Sequence, residues 1–429
     1  MQVRHAAPTG DRPSRHRRKV TARHRALKVI ATGLVATLLA AFAAVGERIR
    51  QLDANLKSLD ITELISHTQA PTERAPEATT AAPLDPFGGK AVNILITAID
   101  SRAGANHDVV SDTVGSLLND VNMVAHISAD RSRVDILSIP RDTLVTMPAC
   151  QRPDGSMAGE DSSRMINEAF AKGAAGDPEM RAEGAACVFL TMQAVTGIKL
   201  DGFIMVEFAG FASVVDALGG IDVCVPEGLI GSKTDIDLTP GVHHLDGVLA
   251  LAFARTRSGK TYTSGYLTGS DTDRINRQQQ LIATVVHKVR ASGDLTSLPR
   301  LNSVATAVTT SLYLNPELAS VTKLAGLAYA LRDIDMDHVS LFTPPWYDDP
   351  YQQYRVRLSE SGVEGRFGGY GAPQIFEAIA LDQPIPGTAP YKLAHNEPGD
   401  QSVEADEDFT TPLSAVPATC AVAGQGDNG

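Results

Sequence analysis

The chain has 429 residues, 43% of them hydrophobic, enough for a large buried core in one to three domains. Its formal charge of −12 hides an asymmetry, because residues 1–28 carry nine Lys and Arg against a single Asp and leave about −20 on the remainder. A body so acidic argues against non-specific nucleic-acid binding, which depends on neutralising phosphates.

The basic head, residues 1–28, runs into VIATGLVATLLAAFAAVG at 29–46, eighteen residues without a charge. That is close to the shortest apolar helix able to cross a bilayer, and positive flanks stay on the cytoplasmic side. The expectation is one N-terminal transmembrane helix, a single-pass plasma-membrane anchor with a cytoplasmic tail and everything after Gly46 outside. A signal peptide cleaved near Ala41-Phe42-Ala43 is the alternative. Residues 47–89 read as a helical stalk with spaced Ile49, Leu52, Leu56 and Leu59, then a Pro/Thr/Ala-rich linker. A folded body spans 90–386, and the acidic, Pro/Ser/Ala-rich 387–429 reads as a disordered tail.

Within the body, VNILITAID (92–100), VNMVAHIS (121–128) and VDILSIP (134–140) are strand-like β-branched runs. INEAFAKGA (166–174), ACVFLTMQAVTG (186–197) and FIMVEFAGFASVVDALGG (203–220) read as helices, the last stopped by Gly219-Gly220. A further helix is expected at 315–335, a strand at 338–346 and a closing apolar segment at 373–382. Strands interleaved with helices predict an α/β or α+β layered sheet. Ligands of such folds sit beyond the carboxyl ends of strands. Asp100, Arg102, Arg141 and Asp142 fall at those ends.

Four cysteines, Cys150, Cys187, Cys224 and Cys420, suit an oxidising compartment. None has C-x-x-C spacing, so no zinc site is expected. Of the three possible pairings, Cys150 with Cys187 is preferred. His243-His244 has no carboxylate at metal spacing and reads as a loop.

The densest chemistry lies in FARTRSGKTYTSGYLTGSDTDRINRQQQ (253–280). Arg255 and Arg257 alternate after an apolar run. If a helix starts near Ser270, Arg274, Arg277 and Gln278 share a face at i, i+3 and i+4. Forked guanidiniums beside a helix N-terminus fit phosphate or pyrophosphate, although most Arg-rich helix faces are merely solvated. Upstream, Ser111-Asp112-Thr113 is ordinary turn chemistry by itself, yet beside Asp100 its Asp112 becomes a second carboxylate for Mg²⁺ or Mn²⁺. A hard cation of this kind takes one or two carboxylates plus phosphate oxygens. No G-x-S-x-G elbow, Walker A loop or dinucleotide fingerprint is present.

AIDSR (98–102), SDT (111–113), SIPRD (138–142), INEAF (166–170), DGFIMVEFAGFASVVDALGGIDV (201–223), LDGVLALAFARTR (245–257) and SDTDRINRQQQ (270–280) together resemble the LytR-CpsA-Psr family over residues 91–385. The resemblance implies an α/β fold, a three-layer α/β/α sandwich with a central mixed sheet, and a phosphotransferase that moves a glycopolymer from a polyprenyl-pyrophosphate donor onto peptidoglycan or a cell-surface protein. A non-catalytic polyprenyl-phosphate-binding module and a lipid pyrophosphatase are the alternatives. It implies Asp100 and Asp112 as Mg²⁺ carboxylates, and Arg102, Arg141, Arg255, Arg257, Arg274, Arg277 and Gln278 around the pyrophosphate. Asp142 and Asp271 would orient arginines from behind. The chain departs from the family's usual pattern at Val110, where Arg is frequent before SDT, and at Met165, where Lys is frequent two residues before the Asn. Arg164 beside Met165 is the substitute donor in this reading.

Overall fold

A computed structural model describes residues 43–68, 85–100, 117–263, 265–267, 271–291, 298–334, 338–361, 370–385 and 410–412. Residues up to Leu52 form one compact unit, of which the helical stretch 43–52 is described; the chain from Asp53 onward forms the other. No helix among the described residues is long and apolar enough to cross a membrane. Most of the expected anchor at 29–46 lies outside the described residues.

The second unit is built on an eight-stranded mixed sheet. Its strands, in chain order, are β1 (Lys57–Ser58), β2 (Val92–Asp100), β3 (Leu118–Ile127), β4 (Val134–Ser138), β5 (Gly202–Glu207), β6 (Leu312–Leu314), β7 (Val339–Phe342) and β8 (Thr410–Pro412). They lie in the order β1-β6-β5-β2-β3-β4-β7-β8. The pairs β1/β6, β5/β2 and β4/β7 are parallel and the others antiparallel. Seven helices matter below: α1 (Arg181–Thr196), α2 (Phe208–Ala217), α3 (Gly247–Arg255), α4 (Asp271–Ala291), α5 (Leu298–Ser311), α6 (Val321–Ala330) and α7 (Ala372–Ala380).

The two-residue alternation of a strand sends neighbouring side chains to opposite faces. Leu95, Val124, Leu137, Phe203 and Phe342 pack with Val188, Phe189 and Met192 of α1 and Ile375, Phe376 and Ile379 of α7. On the other face Met123, Ala125, Ile136 and Leu341 meet Ile282, Ala283 and Val286 of α4, while Ile94 and Ile127 meet Leu324 and Leu327 of α6. Helices therefore cover both faces of the sheet. Central strands buried on both sides read as continuous apolar runs rather than alternating ones. That explains the one mis-assigned segment: 203–220, expected as a helix, is strand β5 followed by α2, with the change at Glu207, whose backbone is extended. Gly219 and Gly220 do end α2, both with positive φ. The expected disulfide is present between Cys150 and Cys187, with Cα atoms 5.4 Å apart. Two other expectations are corrected. His243 and His244 lie on the strand Gly241–Leu245, where His244 Nδ1 meets Asp222 Oδ1 at 2.7 Å. Within the tail read as disordered, Thr410–Pro412 adds an edge strand beside β7.

A buried ion network closes the end of the sheet where β2 begins. His126 Nε2 lies 3.0 Å from Asp382 Oδ1 and its Nδ1 lies 2.8 Å from Asn93 Oδ1. Arg133 Nη2 and the Ala129 amide donate to the same carboxylate at 3.0 Å each. Burial pushes the Asp382 carboxyl up, but His126, the Ala129 amide and Arg133 outweigh it and hold the group below the usual carboxylate range. A depressed folded value gives stability that is fully present above the unfolded value of about 4 and is lost as pH falls through the folded value. Asp382→Asn, which tolerates the positive φ of this position, is expected to cost about 1–3 kcal/mol at pH 7. It should also flatten the acid limb of a Tm-against-pH curve; a parallel curve would count against the network.

Candidate anion and lipid site

The carboxyl ends of β2 and β5, the start of antiparallel β3 and the turn after β4 meet at one edge of the sheet. Small-molecule pockets usually measure about 300–1,000 Å³; the cavity here measures about 900 Å³ and is lined there by Asp100, Asp120, Arg141 and Glu207. Arg255 at the end of α3, Arg257 just beyond it, and Arg274 and Gln278 of α4 complete it. Lys233 and Arg355 bring its cationic side chains among the described residues to six.

Two elements carry the lining from polar to apolar. On β2, Asp100, Ala98 and Ile96 share a face, so the wall changes from carboxylate to hydrocarbon over about 13 Å. On α4, Arg274, Gln278, Leu281 and Ile282 fall at i, i+4, i+7 and i+8 and make the same change over about 12 Å. Phe208, Phe211, Val121 and Met123 extend the hydrocarbon wall. Of the apolar residues at 203–211, Phe203 and Met205 sit in the core, whereas Val206, Phe208 and Phe211 line the cavity.

Asp120 is one of the lining residues that sequence reasoning missed. In the β2/β3 register Ala98 faces Val121 and Ile99 faces Asn119, so Asp120 is the extra residue of a bulge. Strict alternation would send Asp120 and Val121 to opposite faces, yet both line the cavity. A bulge resets that parity and re-aims a side chain. Asp120 Oδ1 accepts from Arg141 Nη1 at 2.6 Å, and its Oδ2 lies 3.7 Å from Arg274 Nη1. Burial pushes the Asp120 carboxyl up, but Arg141, Arg274 and a hydrogen bond from Asn167 prevail and hold it below the usual range. Asn167, of the INEAF motif, is buried where its amide reaches that carboxylate. The available signal was three polar residues, Asn119, Asp120 and Asn122, at the start of a strand that is otherwise buried.

Behind the wall, Asp142 gathers arginines as expected of it: Arg257 Nη2 at 3.4 Å, Arg141 Nε at 3.7 Å and Arg355 Nη1 at 3.8 Å. Arg355 was not anticipated, because YDDPYQQYR has no periodic pattern to place it. Arg255 lies over the Phe208 ring at 4.8 Å. Arg257 Nε is buried and has no hydrogen-bond acceptor among the described residues, which is the state of a donor aimed at an anion.

Two sequence-predicted donors are not brought to the cavity. Arg277 turns from the Arg274/Gln278 stripe to donate to the Thr256 carbonyl. Arg164 stands 56% exposed on the strand Asp161–Met165 and pairs with Glu168 one helical turn on, so it does not replace the missing lysine there. Arg102 and Asp112 lie outside the described residues, as does the side chain of Asp271, whose backbone opens α4. Among the described residues no three His, Cys, Asp or Glu side chains gather as a metal cage. Asp100 and Asp120 both line the cavity, and Asp120 is engaged there by Arg141 and Arg274.

Fold and site define a class: an α/β domain with a cleft that is cationic at one end and apolar at the other. The chain belongs to the LytR_cpsA_psr family, whose model matches residues 60–358. Cell wall biosynthesis protein LcpA of Corynebacterium glutamicum is 28% identical to it, over 56% of this chain and 48% of the relative. Polyisoprenyl-teichoic acid–peptidoglycan teichoic acid transferase TagT of Bacillus subtilis is 25% identical, over 82% of this chain and 95% of its own length. The solved structure of TagT bound to LIIa-WTA has a TM-score of 0.45 and 22% identity, covering 69% of this chain and 93% of that one. The chain spans about half the length of the first curated relatives it matches.

Proposed function

We propose that this protein is a membrane-anchored phosphotransferase that moves a glycopolymer from a polyprenyl-pyrophosphate donor to peptidoglycan outside the plasma membrane. The observation that carries this reading is the double gradient along β2 and α4, from six cations and the carboxylates Asp100, Asp120 and Glu207 to a hydrocarbon wall in one 900 Å³ cavity. Each buried methylene of a prenyl tail contributes about 0.8 kcal/mol there. The likeness to relatives named as cell-wall biosynthesis proteins and teichoic acid transferases supports the choice of donor and acceptor.

In the reaction an acceptor hydroxyl attacks the phosphorus that bears the sugar. The new P–O bond replaces the bridging P–O bond, and polyprenyl phosphate departs with the electron pair. Asp100, buried at the strand end beside the phosphate donors, takes the hydroxyl proton. Arg141, Arg255, Arg257, Arg274 and Arg355 hold the diphosphate and neutralise charge that builds on the leaving oxygen. Asp142 fixes three of these guanidiniums, so little reorganisation is needed at the moment of transfer. Asp100 and Asp112 would hold Mg²⁺, which would add charge neutralisation at the phosphate oxygens; with the cation on its carboxylate Asp100 is a ligand, and the hydroxyl proton passes to solvent instead. The uncharged 29–46 stretch would keep this site at the membrane surface, where its donor resides.

The test uses the full chain in detergent with a lipid-linked donor and peptidoglycan. The expected result is one polyprenyl phosphate released per glycopolymer attached. Donor cleavage that is the same without acceptor and frees the polymer phosphate would make the protein a pyrophosphatase. Retention of polyprenyl phosphate without donor consumption would make it a carrier.

A further inference from the structure

The hairpin Trp346–Asp348 and Val356–Leu358 reaches from the mouth of the cavity to a second depression on the surface. Tyr354 and Arg355 line the cavity. Tyr347, Arg357 and Leu358 line a groove of about 520 Å³ at the C-terminal end of α1. That groove shares Val195, Leu358, Ser359 and Glu360 with a neighbouring one of about 570 Å³ that runs to Glu377 of α7. From Arg355 to Arg357 the extended backbone covers about 7 Å, so cavity and groove are adjoining stations on one path.

The loop between the strands is rigidly built. Buried Asp349 accepts from Arg357 Nε at 2.5 Å, Gln352 N at 2.8 Å and Tyr351 N at 2.9 Å, and its own amide donates to Arg355 O at 2.7 Å. The Val356 amide donates to the Asp142 carbonyl, tying the hairpin to the arginine turn. Tyr354 is held at φ +61° and is 68% exposed. A bulky side chain in the left-handed region costs energy that the surrounding structure must supply, and such residues gather at ligand sites. Tyr351 is more exposed still, and Tyr347 is half exposed. Three tyrosines in eight residues thus face outward beside the anion pocket, each an apolar ring with a polar tip.

We propose that this path, from Tyr354 through Tyr347 into the groove, binds the acceptor glycan as an uncharged N-acetylhexosamine chain, a role that rests on the transferase reading above. Tyrosine rings cover the C–H faces of the sugars, and Ser359, Thr196 and the two glutamates accept hydroxyl and amide hydrogens. Charge chooses acceptor over donor polymer. Glu360 and Glu377 repel a polyanionic chain, and Arg357, the cation of the groove, is engaged by Asp349.

The experiment is calorimetric titration of the full chain in detergent with chitohexaose and, separately, with poly(glycerol phosphate), on wild type, Tyr347→Ala and Tyr347→Phe. Wild type should bind chitohexaose, with affinity about five- to tenfold weaker in Tyr347→Ala and within about twofold of wild type in Tyr347→Phe, which keeps the ring. In the transfer assay Tyr347→Ala should raise the acceptor KM by the same factor and leave the donor KM unchanged. Equal chitohexaose affinity in wild type and Tyr347→Ala overturns the proposal, as does Tyr347-dependent binding of poly(glycerol phosphate). Tyr347-dependent chitohexaose binding in a protein that consumes no donor would support the groove and overturn the transferase reading alone.

Discussion

Asp120→Ala is expected to destabilise the fold by about 3–5 kcal/mol, because it strands Arg141 and Arg274 as buried cations without their shared carboxylate. Arg274 is 2% exposed, and Arg141, 8% exposed, keeps its longer contact to Asp142 at 3.7 Å, so what is lost is replaced only in part. In a unit of this size that corresponds to a fall in Tm of roughly 10 °C. Asp120→Asn, which keeps an acceptor but removes the charge, should lie between. The same two guanidiniums line the anion cavity, so inorganic pyrophosphate should raise the Tm of Asp120→Ala more than that of wild type. Equal pyrophosphate shifts in the two proteins would mean that these arginines do not face a ligand. The pH dependence has a defined sign. The depressed Asp120 carboxyl contributes stability above the unfolded value of about 4 and loses it as pH falls through the folded value. The gap between Asp120→Ala and wild type should therefore close in acid.

Arg257→Ala should act on chemistry rather than on folding. Its side chain is 40% exposed and its ion pair with Asp142, at 3.4 Å, is one of three that carboxylate makes. Stability should change by less than about 1 kcal/mol. Turnover of a lipid-linked donor should fall about 10²–10³-fold, the usual loss for one preorganised donor at developing charge. Arg257→Lys should recover only part of this, since a point charge cannot reproduce the planar fork. The discriminating readout is kcat against donor KM. A large loss in kcat with little change in KM fits a contact that strengthens as the leaving group departs. Unchanged turnover would remove Arg257 from the reaction.

Several parts of the site were legible because they are local. Residues 92–100 read as a strand from β branching and as a ligand-bearing strand end from the Asp at its close; the strand is Val92–Asp100 and Asp100 lines the cavity. The start of α4 followed from Ser270/Asp273, and the helical repeat then put Arg274 and Gln278 on one stripe. The same repeat misplaced Arg277. The neighbouring chain offers it the Thr256 carbonyl, which no periodicity can anticipate. Arg164 failed for a related reason, since a partner four residues ahead, Glu168, claims it on an exposed strand.

By itself the sequence determined the strands and helices with clear periods, the family, and the collection of arginines that an anion would need. Those follow from nearest neighbours along the chain: side-chain shape sets the backbone, and spacing sets the face. Only the tertiary structure decided which charges meet. One extra residue in β3 turned Asp120 toward the cavity, Asp142 drew Arg141, Arg257 and Arg355 together from three separate segments, and the unpatterned hairpin at 346–358 came to stand at the mouth. Bulge parity and long-range ion pairing depend on partners far apart in the chain, and the distances between such partners are fixed only when the sheet is assembled.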